Sequence, residues 1–303
     1  MSQSIYINAF DDFAFKYLFG RESHKDLLIY FLNGIFKGRK VIVDLEYNNV
    51  ERRGPGKDYR RTLFDLYCTG DRGEKFIVEM QKSKPDNFKD RSIFYTSNLI
   101  QELGRSVEAD WDYLLPEVFF IAIMDFRFED THPEHYFHDV RLMEINTGTE
   151  FYTKLNYIFI EMPKFKKTEA ELETDQDRWL FMLNNLYKFR EIPLSLSNKK
   201  EFIRLLTIAK VGNLNSNDMN AYERSLKIQR DNYSVRQAAV KEGLAEGKVE
   251  GKIEGRVEGK IEGKIEGRVE KAVEIALEMK QENLSLDLIM KLTKLSKEEI
   301  ESL

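Results

Sequence analysis

The stretch Leu63–Gln81, LFDLYCTGDRGEKFIVEMQ, restricts the fold more than any other. Two apolar runs flank a turn-rich centre, the pattern of a β-hairpin. Asp65 and Glu79 nevertheless stand inside those runs, and Gln81 follows two residues later. Strand interiors are depleted in Asp, and a carboxylate buried without a partner costs several kcal/mol. With GDRGE (70–74) as the loop, Asp65 lies directly across from Glu79, about 5 Å away Cβ to Cβ. Residues two apart in a strand share a face, so Glu79 and Gln81 point with Ile77, while Phe76, Val78 and Met80 point the other way. Bare like charges so placed repel. A divalent cation between them removes the repulsion, and hard carboxylate oxygens suit Mg²⁺ or Mn²⁺.

The flanking sequence supplies the rest of a mixed α/β arrangement. Apolar spacing predicts helix over 10–36, with Phe15, Leu18 and Phe19 on one face and Leu27, Leu28, Phe31, Leu32 and Ile35 on another. Gly20 breaks that run, and Gly34 with Gly38 ends it. VIVDLEYNNV (41–50) reads as a strand, and the hairpin strands read as 62–68 and 75–82. Between them, ERRGPGKDYRR (51–61) is a loop by its Gly-Pro-Gly, and a basic one: Arg52, Arg53, Lys57, Arg60 and Arg61 face only two acids. Phe94, Leu99, Ile100 and Leu103 predict a helix over 90–108. EVFFIAIMDF (117–126) is an unbroken apolar run of strand length, hence a strand buried on both faces. Residues 138–145 and 155–162 read as further strands. After Pro163 the pattern over 169–233 is helical, with Trp179, Leu180, Leu183, Leu186 and Phe189 on one stripe and Phe202, Leu205, Leu206 and Ile208 on a second.

Residues 242–271 are a tetrapeptide repeat of Glu-Gly-basic-aliphatic in which Glu-Gly occurs seven times. In a helix, a four-residue period drifts by about 40° per repeat, so the aliphatic stripe winds around the axis. The i,i+4 charge pairs are like with like, and each glycine costs about 1 kcal/mol relative to alanine. Two readings stand side by side: a solvated spacer, or a segment whose glycine stripe admits another helix in an oligomer. Charged residues reach 33% of the chain, a surplus that such a solvated helix accounts for. Beyond it, 284–303 reads as two short amphipathic helices, with SKEE (296–299) as a capping box between them.

The order helix 10–36, strands 41–50, 62–68 and 75–82, helix 90–108 and strand 117–126, with Asp-x13-Glu-x-Gln on the hairpin, resembles the α-β-β-β-α-β core of the PD-(D/E)XK nuclease superfamily. Five blocks, DDFAFKYLFG, LIYFLNGIF, FIVEMQ, RSIFYTSNL and FIEMPKF, are similar in content and order to those of the Rpn family of recombination-promoting nucleases and transposase-like proteins. The likeness is close over about the first 165 residues. It implies DNA cleavage dependent on a divalent metal, Mg²⁺ or Mn²⁺, with Asp65 and Glu79 as the ligands and Gln81 beside them. Gln81 stands where the superfamily usually carries Lys, although Gln is typical of the Rpn family. An amide takes no proton and carries no charge, so Gln81 is suited only to orienting water or phosphate. The superfamily often adds an acid from the first helix, which makes Asp12 the candidate here. Its alternative role is a helix cap. Arg91 and Tyr95, one turn apart on helix 90–108, are candidate supports for Glu79 or the scissile phosphate. The basic loop is suited to tracking a DNA backbone.

The expected organisation is a nuclease-like domain over 1–165, a helical extension over 166–235, the repeat segment over 236–271 and a helical pair over 272–303. The single cysteine, Cys68, excludes an intrachain disulfide. That fits a reducing compartment, and no window has the apolar length of a membrane span. A cytoplasmic protein acting on DNA, assembled as a homo-oligomer and without a membrane segment, is the expectation. Net charge is −5, so any DNA contact must be local. The competing class is a nuclease fold that binds DNA or a protein without cutting. His132, His135 and His138 recur every third residue. They sit in a Pro-containing polar segment with no Cys nearby, which favours a polar loop over a zinc site.

Overall fold

The computed structural model describes residues 4–48, 51–52, 62–105 and 113–303. The chain forms two compact units, Met1–Ile228 and Gln229–Leu303. In chain order the first unit contains helices α1 (Asp12–Phe19) and α2 (Lys25–Phe36), strands β1 (Leu45–Tyr47), β2 (Glu51–Arg52), β3 (Thr62–Leu63), β4 (Leu66–Gly70) and β5 (Lys75–Gln81), helix α3 (Phe88–Arg105), and strands β6 (Val118–Met124), β7 (Phe137–Met143) and β8 (Glu150–Glu161). Helices α4 (Asp175–Asn185), α5 (Leu194–Ser197) and α6 (Lys200–Ile208) follow, and α7 (Ser216–Gln281) begins in this unit. Six strands make one sheet in the order β1-β4-β5-β6-β8-β7, with β2 and β3 as a separate pair. The sheet is antiparallel at β1-β4-β5 and β8-β7, and parallel at β5-β6-β8.

Alternation along the strands divides the core into two layers. Phe76, Val78 and Met80 of β5 and Phe119, Ile121 and Ile123 of β6 pack with Phe15, Phe19, Phe31 and Trp179. Ile77 of β5 and Phe120 and Ala122 of β6 pack with Phe88 and Leu99 of α3. Every residue of β6 is buried, as its unbroken apolar run requires. This is the mixed α/β architecture of the superfamily resemblance, with α1, α2 and α4 on one face of the sheet and α3 on the other.

Several elements differ from the sequence expectation for identifiable reasons. The helical run 10–36 is two helices broken at Gly20, where a Cβ would stand 2.7 Å from the Lys16 carbonyl oxygen and 2.8 Å from Leu66 Cδ2. Gly34 does not end α2. It lies within that helix, at a point where a Cβ would come 2.8 Å from Trp179 Cδ1, so the packing there requires glycine. The strand drawn over 41–50 shrinks to Leu45–Tyr47, and Val41 and Val43 lie exposed. The strand drawn over 62–68 is interrupted at Phe64 and Asp65: Thr62–Leu63 pairs with Glu51–Arg52, and the hairpin strand starts only at Leu66. The core also crosses the boundary drawn at 165, since Trp179, Leu183 and Phe202 share a cluster with Phe19 and Phe31.

In the second unit the repeat is helical throughout, inside α7. Its aliphatic residues, Val249 through Val269, are exposed, and a Cβ added at any of Gly243 to Gly267 would meet open space. Helices α8 (Leu286–Thr293) and α9 (Lys297–Glu301) close a small core of Ala276, Ile289, Leu295 and Ile300. Ser296 and Glu299 form the reciprocal capping box between them. Among the described residues, no helix is long and apolar enough to cross a membrane.

Candidate active site

The hairpin ladder runs from Leu66 opposite Val78 to Thr69 opposite Lys75. Continued by one residue, that register sets Asp65 across from Glu79. Asp65 itself sits in the bend before β4, and the bend lets it fold onto β5. Its Oδ2 accepts from the Met80 amide at 2.9 Å, and its own amide lies 3.4 Å from Glu79 Oε1. The interruption that shortened the strand is thus what turns Asp65 towards Glu79.

Both carboxyls are held from water: the side chain of Glu79 is 1% exposed and that of Asp65 16%. Burial, then the facing Asp65 carboxyl, push Glu79 up to about 8, and the Arg91 guanidinium, 4.0 Å away, opposes this. Asp65 is also raised, by burial first, despite the Met80 amide and the Lys16 ammonium. Two interacting carboxyls titrate as a pair, and a cation between them would favour the form in which both are ionised. Among the described residues there is no cluster of three or more His, Cys, Asp or Glu arranged for a metal. The site offers two hard carboxylates, which suit a divalent ion that completes its shell with water or substrate oxygen.

The surrounding side chains come from three elements. Gln81 Nε2 donates to Glu79 Oε2 at 2.8 Å. On α3, Arg91 Nε donates to the Tyr95 hydroxyl at 2.6 Å, with the guanidinium 4.9 Å from the Tyr95 ring centroid. The Tyr95 ring meets Phe64 edge-on at 5.4 Å, so the Arg91–Tyr95 pair is braced against the hairpin. From α1, Lys16 Nζ reaches Asp12 Oδ1 at 2.6 Å and Asp65 Oδ1 at 3.4 Å. Asp12 therefore joins the site through Lys16. It is not the cap of α1; that role falls to Asp11, which accepts from the Ala14 amide.

A family model described as PD-(D/E)XK nuclease family transposase matches residues 9–239, more than half of the chain. The chain belongs to this family. Searches of curated proteins and of solved structures returned no match. The family match passes well beyond residue 165, in keeping with the helices after β8 that share the first unit's core. Membership supports nuclease-type chemistry, and PD-(D/E)XK nucleases generally work with divalent metals.

Within this nuclease fold the structure brings together Asp65, Glu79, Gln81, Arg91, Tyr95 and Asp12. It also adds Lys16, which the sequence reading passed over. The available signal was its i,i+4 spacing from Asp12 in DDFAFK. Of the basic loop, Arg52 has a described backbone in β2, and Arg53, Lys57, Arg60 and Arg61 lie outside the described residues. The three histidines do not converge. His138 Nε2 contacts Glu161 Oε1 at 2.6 Å, while the His132 and His135 rings meet tilted, with centroids 4.5 Å apart. Burial alone would raise Glu161, but Thr131, Lys164, the Phe128 amide and His138 outweigh it and hold that carboxyl below its ordinary value.

Proposed function

We propose that this chain is a divalent-metal-dependent DNA endonuclease serving recombination or the movement of genetic elements. The observation that carries the reading is the facing pair Asp65–Glu79, two largely buried carboxyls that a cation between them would balance. Asp65 and Glu79 would hold Mg²⁺ or Mn²⁺. When bound, such an ion activates water and neutralises charge on the phosphodiester. The residues around it then have distinct work. Gln81, bonded to Glu79, fixes that carboxylate and orients water or a phosphate oxygen. Arg91, held by Tyr95, directs positive charge towards Glu79 from α3. Gln81 accepts no proton, so solvent or a substrate phosphate takes it. Basic residues of the 51–61 loop contact the DNA backbone, and the exposed aliphatic stripe of the repeat joins copies of the chain.

A second reading, a nuclease fold that binds DNA or protein without cutting, draws on one observation: Gln81 supplies no charge where the superfamily usually has Lys. A plasmid assay separates the two. Supercoiled DNA should be converted to open-circle or linear form with Mg²⁺ and left intact with chelator. Asp65→Asn should bind the plasmid without cutting it. Binding without cutting by the wild type, with either metal, would favour the second reading.

A further inference from the structure

We infer that Lys16, on α1, is a catalytic residue of this site: its ammonium contacts the phosphate under attack and supplies the positive charge that Gln81 lacks. The inference rests on the nuclease reading and extends it to a residue on a different element.

The geometry is specific. Lys16 lies on the last turn of α1, which the Gly20 cap ends against Leu66 of the hairpin. From there Nζ reaches Asp65 Oδ1 at 3.4 Å, while Asp12 one turn earlier accepts from it at 2.6 Å. An ammonium has three donors: one goes to Asp12, and the ion pair with Asp65 occupies a second side of the group. The third is available to a ligand, and the side chain is 36% exposed, so solvent and substrate reach it. At 3.4 Å the contact with Asp65 is long for a charge-assisted hydrogen bond, which leaves the ammonium able to shift towards an incoming phosphate oxygen.

Lys16 also opens onto a groove. A cleft of about 470 Å³ between α1 and the first turns of α7 is lined by Asp12, Lys16, Tyr17, Arg21, Arg224 and Ser225. Arg21 is anchored by Asp218 and lies over the Tyr17 ring at 4.3 Å, and Arg224 is exposed. Lys16, Arg21 and Arg224 line this cleft, the first two paired with Asp12 and Asp218, and Lys16 links it to Asp65 through their ion pair, so a phosphate backbone lying in the cleft would pass the ammonium. Gln81 and Lys16 then divide between two elements what one strand Lys does elsewhere in the superfamily: the amide orients, and the ammonium stabilises negative charge. No bond to Lys16 forms or breaks; it donates a hydrogen bond to a non-bridging phosphate oxygen throughout.

The test is a rescue experiment in the full-length protein, with single-turnover cleavage of a plasmid in Mg²⁺ as readout and a thermal melt as a check on folding. Lys16→Gln should slow cleavage by about 10²-fold, the scale for losing one positioned donor at a developing charge. Lys16→Arg, which keeps charge and ion pairs, should stay within about tenfold of wild type on the same scale. Lys16→Gln combined with Gln81→Lys should regain most of the lost rate, because an ammonium returns to the site from β5. A purely structural clamp on Asp65 would not be rescued in that way. Lys16→Gln at the wild-type rate, Lys16→Arg as slow as Lys16→Gln, or a double variant no faster than Lys16→Gln would each overturn the inference while leaving the nuclease reading standing. A wild type inert with both Mg²⁺ and Mn²⁺ would overturn both together.

Discussion

Glu79→Gln should stabilise the metal-free protein, and should do so only at higher pH. In the fold, burial and the Asp65 carboxyl hold Glu79 up near 8, against 4.5 for the ordinary side chain. A raised carboxyl binds its proton more tightly in the fold than in the unfolded chain. Its destabilising effect is therefore absent below about 4.5, grows as pH rises, and is complete above about 8. At about 1.4 kcal/mol per unit the shift sets a ceiling of roughly 5 kcal/mol. The gain from the substitution is smaller, because the introduced amide remains a buried polar group. Gln81 now donates to Glu79 Oε2, and its amide must flip so that its oxygen accepts from the new NH₂. A net gain of about 2 kcal/mol corresponds to about 4–8 °C in Tm for a unit of this size. The assay is a thermal melt of wild type and Glu79→Gln in chelator at pH 5 and pH 8.5. The two melts should nearly coincide at pH 5 and separate at pH 8.5, with the variant higher. Added Mg²⁺ should narrow or reverse the gap, since a ligand that binds only the folded wild type raises its Tm. A variant no more stable than wild type at pH 8.5, or a gap independent of pH, would refute the picture of a strained carboxyl pair.

Gln81→Ala should lower the cleavage rate by about 10²-fold while DNA binding by gel shift is retained, because the amide positions and carries no charge. Gly34→Ala should destabilise the first unit by about 1–3 kcal/mol in denaturant melts, since its Cβ would collide with the Trp179 indole at 2.8 Å. Deleting one tetrapeptide shortens α7 by about 6 Å and rotates the helix beyond the deletion by about 40°. If the exposed stripe joins copies of the chain, sedimentation of the full-length protein should change with repeat number, and identical monomeric behaviour at every repeat length would leave the segment a spacer.

Much of the arrangement around the site is legible in the sequence because it follows from short-range rules. The two-residue period of FIVEMQ puts Glu79 and Gln81 on the face of Ile77, which the fold packs against α3, and GDRGE fixes the register that places Asp65 opposite Glu79. The spacing of Arg91 and Tyr95 is one helical turn, and they do meet. What escapes the sequence depends on distant partners. LFDLYC reads as one strand by propensity, and its break at Phe64–Asp65 is set by a separate pairing of Thr62–Leu63 with Glu51–Arg52. Gly34 looks like a terminator until Trp179, far along the chain, is seen against it. Asp12 is a candidate only through the family resemblance, Lys16 looks like its ordinary surface i,i+4 partner, and only the fold brings their helix to Asp65.

The central claim, that Asp65 and Glu79 form a metal centre for phosphodiester hydrolysis, is tested most directly by separating chemistry from binding in Glu79→Gln. Single-turnover cleavage is measured with saturating protein and Mn²⁺, beside a gel shift on the same DNA. Loss of the ion's charge stabilisation is worth several kcal/mol, so the account predicts a rate lower by about 10³-fold or more with DNA binding little changed. Cleavage by Glu79→Gln at a rate close to wild type would contradict it.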